Sequence, residues 1–436
     1  MIKLPKEVST IINELENKGI KAYCVGDCVR LALAGAEPLD WDIIVNAPIS
    51  SIEGMFEGAE KLEGSENRLR IDYSEKDIEK VEKQLANPDD ARAAMNAAKQ
   101  DAVIVDLIAL DEVESFLAEQ KFTISAMADS TSHGFVDPYG GRDDIAKKLV
   151  RPVGNPMEVF NSEPILMLKA ITLVSELGYD LSKSTYEAIV ANADRIPSAG
   201  IDAIREEFIN LMGADNAGKA LRMLAACGIL PYILGPSFEK LGNREIKDME
   251  ELADNMHKTL NVAERRIGLF YLCLGKKRAH RAVDYLNYNP VMKQHFEDVI
   301  DHIVDLHFVG KPEMLMDFLA RYGLDRYTYM HNVAKAQVNV YGSPDNKVQG
   351  RIYMYREIIS MKYPVYIEDL EVTGEELVSE GIVPDNPEKI RAMLLMLTDV
   401  VHRHPKMNTK KQLLEKARWF KRHKLGAKLR NVEWLK

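Results

Sequence analysis

Residues 23–46 read YCVGDCVRLALAGAEPLDWDIIVN, and the fold turns on how that stretch divides. A short apolar run, Tyr23 to Val25, meets Gly26; a helix-compatible segment carrying Arg30 follows; Asp40-Trp41-Asp42 then opens a second apolar run that ends at Val45. Side chains two apart in a strand share a face. Asp40 and Asp42 therefore present two carboxylates together while Trp41 packs the other side. Neighbouring carboxylates repel unless a cation sits between them, and hard oxygen donors suit Mg²⁺. A glycine that ends a strand and opens a helix offers backbone N–H groups to an anion, and Arg30, one turn in, reaches the same anion. A phosphate cradle ahead of a two-carboxylate metal site describes metal-assisted attack on a nucleoside triphosphate. A surface bridge from Arg30 to Asp27 or Asp42 is the purely structural alternative.

The most β-like segment, AVIVDLIAL at 102–110, encloses one acid, Asp106. An unpartnered carboxylate is expensive to bury, so Asp106 is expected to join the first two acids at one metal site. KLEGSENRLRIDY at 61–73 holds a further strand, and the charged, Ala-rich stretch 74–100 reads as a solvent-side helix. Beyond about residue 155, apolar residues recur at helical spacing, broken by Gly, Pro and Asn. Strands followed by a long run of helices give an α+β head and an all-α remainder.

A chain of 436 residues implies several domains. Four cysteines in that length make no disulfide framework, and Cys24 and Cys28 read as small buried hydrophobes. No apolar run approaches the roughly 20 residues of a membrane span, and the first residues lack a signal-peptide core, so a cytoplasmic protein with no membrane partner is expected. The net charge of −10 argues against a polyanionic partner, but residues 403–430 carry eleven Lys or Arg and one acid, Glu415. Lys410, Lys411, Arg418, Lys421 and Arg422 are the expected phosphate contacts of a basic tail. His295, Asp298, His302 and Asp305 share one helical face opposite Phe296, Val299, Ile300, Ile303 and Val304; the simplest account is a polar side turned to water.

With these residues on the page, the chain resembles the class II tRNA nucleotidyltransferases (CCA-adding enzymes) and the related bacterial poly(A) polymerases. The family carries G-G-x-V-R-D followed by D-W-D-I at this distance, and KFTISAMADSTSHGFVDPYGGRDDIAKKLVRPVGNP at 121–156 is similar to its next motifs. Residues 163–181 resemble the neck helix that reads the incoming base, residues 194–208 the next neck helix, and residues 369–390 and 404–417 the tail. The resemblance implies a nucleotidyltransferase head at 1–153, a helical neck at 154–212, a body at 213–330 and an RNA-binding tail at 331–436. It implies Mg²⁺ on Asp40 and Asp42, with Asp106 as third catalytic carboxylate. Gly26, Arg30, Lys121 and Glu163 would hold the nucleotide, the partners being ATP, CTP or another NTP and a tRNA or tRNA-like RNA. The implied activity is transfer of NMP to an RNA 3′ hydroxyl; an inactive RNA-binding protein and a transferase with a non-tRNA acceptor are the alternatives.

Departures from the motif bear on specificity. The second glycine of the phosphate turn is Asp27, the following motif Asp is Leu31, and the Arg-Arg-Asp of the next motif is Glu119-Gln120-Lys121. In the neck motif Glu163 keeps an acceptor for the exocyclic amine of C or A, but Leu166 stands at the Arg position and has no donor, so selection of C and A should be weakened. Returning Arg at position 166 should narrow the choice if that position faces the base.

Overall fold

A computed structural model of the chain describes residues 2–62, 64–73, 103–235, 241–342 and 347–423. The stretch 74–100, expected to be helical, lies outside the described residues. Strands β1 (Ala22–Val25), β2 (Asp40–Val45), β3 (Ala59–Lys61), β4 (Arg68–Asp72), β5 (Ile104–Ala109), β6 (Ala128–Ser130) and β7 (Gly134–Val136) form one mixed sheet in the order β3-β4-β5-β2-β1-β6-β7. The strand expected between 61 and 73 is β4, and the short β3 before it, ending at Lys61, pairs with it antiparallel, Lys61 opposite Leu69. Among the described strands of this sheet, β2 and β5 are the one parallel pair.

The alternation in β2 decides which face carries the acids. Trp41 and Ile43 are buried on one side, and the Trp41 indole N–H donates to the Pro38 carbonyl at 3.1 Å. On the other side Ile44 and Ile108 pack with Val25, Val113, Leu117 and Ala128. The helix Val113–Glu119 thus supplies the cover for one half of that face, while Asp40 and Asp42 remain exposed and half-buried at its open end. Apolar burial at one end of a strand and carboxylates at the other is what the i, i+2 pattern of DWDIIV requires.

A second device fixes the segment after β7. Both Asp137 carboxylate oxygens accept backbone N–H groups, from Gly141 at 2.8 Å and Arg142 at 3.0 Å, and so start the helix Gly141–Lys147. Asp144 then accepts from the Thr123 hydroxyl at 2.6 Å and from Arg151 Nε at 3.0 Å, tying 121–156 to itself. Gly141 is required by close approach: a Cβ there would lie 2.1 Å from the Thr123 carbonyl oxygen.

The chain divides into two compact units, Met1–Ile233 and Leu234–Lys436. In the first, the sheet is followed by helices, among them Ile165–Leu177, Ile201–Gly213 and Ala217–Ala226. Leu166 is buried on the helix Ile165–Leu177 with Met167, Leu168, Ala170 and Ile171, so it belongs to the core.

The second unit is helical among the described residues. One of its cores gathers Leu377, Leu397, Val401, Leu413 and Ala417, with Phe420 packed against it. The helix Pro290–Phe308 corrects the expected water-facing polar side. His295 is buried between Glu264 (2.7 Å) and Asp325 (3.0 Å) and stacks on Tyr329. Asp298, 2% exposed, is held by the Arg326 guanidinium and the Gln294 amide. Val304, expected inside, is 58% exposed. Charged partners on neighbouring helices bury His295 and Asp298, whereas the His302 and Asp305 side chains stay 35% and 60% exposed and Phe296, Val299, Ile300 and Ile303 are buried as expected. No helix among the described residues is long and apolar enough to cross a membrane, and all four cysteines are buried free thiols. Burial pushes the Cys28 thiol up to about 12, which leaves it protonated.

Candidate active site

Strand register assembles the acids. Asp42 of β2 lies opposite Asp106 of β5, and on its other side opposite Val25, the residue before Gly26. Asp40 lies one pleat along the same face. Neighbouring strands are about 4.8 Å apart, so Asp42 and Asp106 are side by side, and the glycine turn begins beside them. Gly26 has φ +72°, a conformation that favours glycine, and its N–H donates to the Met127 carbonyl at 3.3 Å.

Electrostatics separate the three acids. Burial, then the charge of Asp106, raises the Asp42 carboxyl above its ordinary range; Arg68 opposes the shift, and Asp27 and Asp40 add to it. Asp40 and Asp42 have no ion-pair partner among the described residues. Asp106 has one. Arg70, opposite it in β4, donates Nε to Oδ1 and Nη2 to Oδ2, both at 2.7 Å, and this pairing raises the Arg70 guanidinium further. With Asp106 turned to Arg70, no group of three His, Cys, Asp or Glu side chains among the described residues is gathered to hold a metal ion. The expected three-acid set is thus not closed in this arrangement: Asp40 and Asp42 are its open part. Two hard carboxylates, one of them destabilised as an anion by its neighbours, fit a divalent cation.

The phosphate turn is also occupied. Arg30, 6% exposed, bridges Asp27 at 2.7 Å and donates to the Ser125 hydroxyl at 3.1 Å, while that hydroxyl donates to Asp27 at 2.9 Å. The structural alternative, Arg30 on Asp27, is therefore what forms, and it is buried on the arginine side. Arg30 Nε is buried with no hydrogen-bond partner, a donor left for a further acceptor. Lys121 and Glu163 pair with each other at 2.8 Å, both partly exposed, which joins the two expected nucleotide contacts by charge. Arg70, Arg68 and Ser125 are the neighbours that sequence reading missed. The alternation Arg68-Leu69-Arg70 in RLRID was the available signal, since its polar side had to lie on one face.

The basic tail is partly neutralised within its own unit. On the helix Lys410–Arg422, Lys410 pairs with Glu376 at 2.6 Å, Arg418 with Glu380 at 2.5 Å, and Lys421 Nζ donates to the Gly381 carbonyl. Lys411 and Arg422 are exposed and have no such partner among the described residues. Trp419 is 39% exposed, stacked on His423 with Lys416 over its ring.

Over residues 22–151 the chain matches the family described as Poly A polymerase head domain. Residues 22–151 are thus similar to that family. Behind the head, residues 178–241 match a second family, described as a probable RNA and SrmB-binding site of polymerase A. The CC-adding tRNA nucleotidyltransferase of Halalkalibacterium halodurans is 26% identical over 235 residues, 54% of this chain and 56% of that protein. The aligned stretch thus spans about half the length of that relative. The CCA-adding enzyme of Geobacillus sp. (strain WCH70) aligns over 90% of this chain and 91% of its own length at 22% identity. Among solved structures, the Bacillus stearothermophilus CCA-adding enzyme in complex with CTP covers 97% of this chain and 98% of its own, with a TM-score of 0.73 and 20% identity. The Thermotoga maritima CCA-adding enzyme complexed with tRNA_CCA covers 95% of each chain with a TM-score of 0.57 and 16% identity. These likenesses establish that the head and the helical remainder share the fold of those proteins.

Proposed function

We propose that the chain is a Mg²⁺-dependent nucleotidyltransferase of the CCA-adding type, transferring NMP from ATP, CTP or another NTP to the 3′ hydroxyl of a tRNA or tRNA-like RNA, with altered nucleotide choice. The observation that carries it is the Asp42–Asp106 register pair, with Asp40 on the same face, at an open sheet end beside the Gly26 turn. Asp40 and Asp42 would hold the metal. When bound, it lowers the pKa of the attacking hydroxyl and neutralises charge on the triphosphate. The chain's own residues position the rest. Gly26 leaves its turn free of a Cβ, Arg30 brings a fixed cation with one unused donor, and Lys121 is the nearest cation to Glu163 at the start of the base-reading helix. The division into head 1–153, neck 154–212, body 213–330 and tail 331–436 belongs to this proposal, as does work in the cytoplasm; Lys410, Lys411, Arg418, Lys421 and Arg422 would meet the RNA.

The test is extension of labelled tRNA ending before, within or after CCA by each NTP with Mg²⁺, by the parent and by Asp40→Asn/Asp42→Asn. We expect extension by the parent only, at least about 100-fold above the double variant. A second reading, an RNA binder without catalysis, is favoured by Arg70 holding Asp106 and by Asp27 holding Arg30. No extension, with salt-sensitive tRNA binding unchanged in the double variant, would establish that reading and remove the first.

A further inference from the structure

In the Leu234–Lys436 unit a cavity of about 390 Å³ opens beside the first turns of the helix Ala263–Cys273, with the loop before that helix on one side and the long helical segment Pro312–Tyr341, kinked at Gly323, on the other. Lys258, Arg265, Arg266 and Lys335 line it, and no acidic side chain does. In a chain whose 67 acids outnumber its 57 bases, four bases without an acid run against composition. A solvated charged face normally interleaves both signs.

Three of these cations are not neutralised elsewhere among the described residues. Lys258, Arg265 and Lys335 have no carboxylate partner among the described residues. Glu264, the acid nearest in sequence, is taken up by His295 at 2.7 Å. Arg266 is fully buried; its Nε donates to the Thr259 hydroxyl at 2.9 Å and its Nη2 contacts Asn261, so the wall is fixed. Leu269 forms an apolar floor, and Asn332 and Asn339 add carboxamides from the long helix. Gathering three unpaired cations around one cavity raises their mutual repulsion, which an anion relieves.

We propose that this cavity binds a small, freely diffusing anion of the di- or triphosphate class. Its volume lies in the range of about 300–1,000 Å³ typical of small-ligand sites. Its cations converge from three segments on one concavity; a groove that tracks a nucleic-acid strand spreads them along a stripe with stacking aromatics. Three unpaired positive charges match the charge of pyrophosphate, and the Arg265 fork suits phosphate oxygens. The site is separate from the head and does not depend on the function proposed there.

The test is lysine acetylation of the full chain read by mass spectrometry, without Mg²⁺ and at low salt, with pyrophosphate, ADP or tRNA present. Pyrophosphate and ADP should protect Lys258 and Lys335 about threefold or more while Lys411 stays reactive. In calorimetry, Lys258→Gln/Lys335→Gln should weaken pyrophosphate and ADP binding by about tenfold or more. Both lysines are exposed, so the melting temperature should match the parent's. Protection by ADP alone identifies a nucleotide site, and equal protection by pyrophosphate a site for the phosphates themselves; either supports the proposal. Protection by tRNA but by neither small anion makes the cavity an RNA-backbone contact and overturns it. So does protection by none of the three, or small-anion affinity that is the same in the double variant.

Discussion

Asp42 is held between strands whose facing side chains include Asp106, and burial together with that neighbour raises its carboxyl. The sign of the consequence is fixed by linkage. Between the ordinary carboxylate pKa of about 4 and the raised native value, the folded state holds the extra proton, so Asp42 lowers stability as pH rises through that window. Asp42→Asn should therefore melt with the parent below about pH 4 and higher than it, by roughly 1–3 °C, at pH 7, while extension of RNA is lost. A melting temperature below the parent's at pH 7 would contradict a strained carboxylate. Arg70 works in the opposite sense. Its removal leaves the buried Asp106 unpaired, so Arg70→Gln should lose about 1–2 kcal/mol in urea unfolding. Mg²⁺ should then raise the melting temperature of Arg70→Gln more than that of the parent, because Asp106 is released to the side of Asp42. Equal Mg²⁺ shifts would detach Asp106 from the metal site.

At the scale of elements, β4 and the helix Ile165–Leu177 each carry a lesson. The segment 61–73 was legible as holding a strand, which is β4, but its pairing with β3 and the reach of Arg70 to Asp106 depend on which strand lies beside β5. The neck helix matched the family motif in order, yet Leu166 is 1% exposed. An arginine returned there enters the core. Leu166→Arg should lose about 3–5 kcal/mol in denaturant unfolding, the penalty of an unpaired buried charge, with no sharper preference for C and A. A variant as stable as the parent with narrowed nucleotide choice would show that this position reaches the base.

On the scale of the whole molecule, an acidic chain carries two concentrations of positive charge in its second unit, the tail helix and the cavity beside Ala263–Cys273. Composition pointed to the tail, but only the packed unit distinguishes its charges. Lys410 and Arg418 are spent on Glu376 and Glu380, whereas Lys411 and Arg422 are open. Lys411→Gln/Arg422→Gln should lower tRNA affinity and reduce the slope of log K against log salt by about 2, with melting unchanged. An unaltered slope would place the RNA contacts on other cations.

The stretch DWDIIV and the glycine turn before it determined, by themselves, an α+β head with two acids on one sheet face, because a strand's period of two is a local property that any reader of the chain can count. The tertiary structure decided the partners: Arg70 on Asp106, Ser125 on Arg30, Leu166 inward, and His295 and Asp298 buried among charges brought from other helices. Such partners come from strand register and helix packing between residues up to about a hundred positions apart, and no local periodicity encodes which of them will meet.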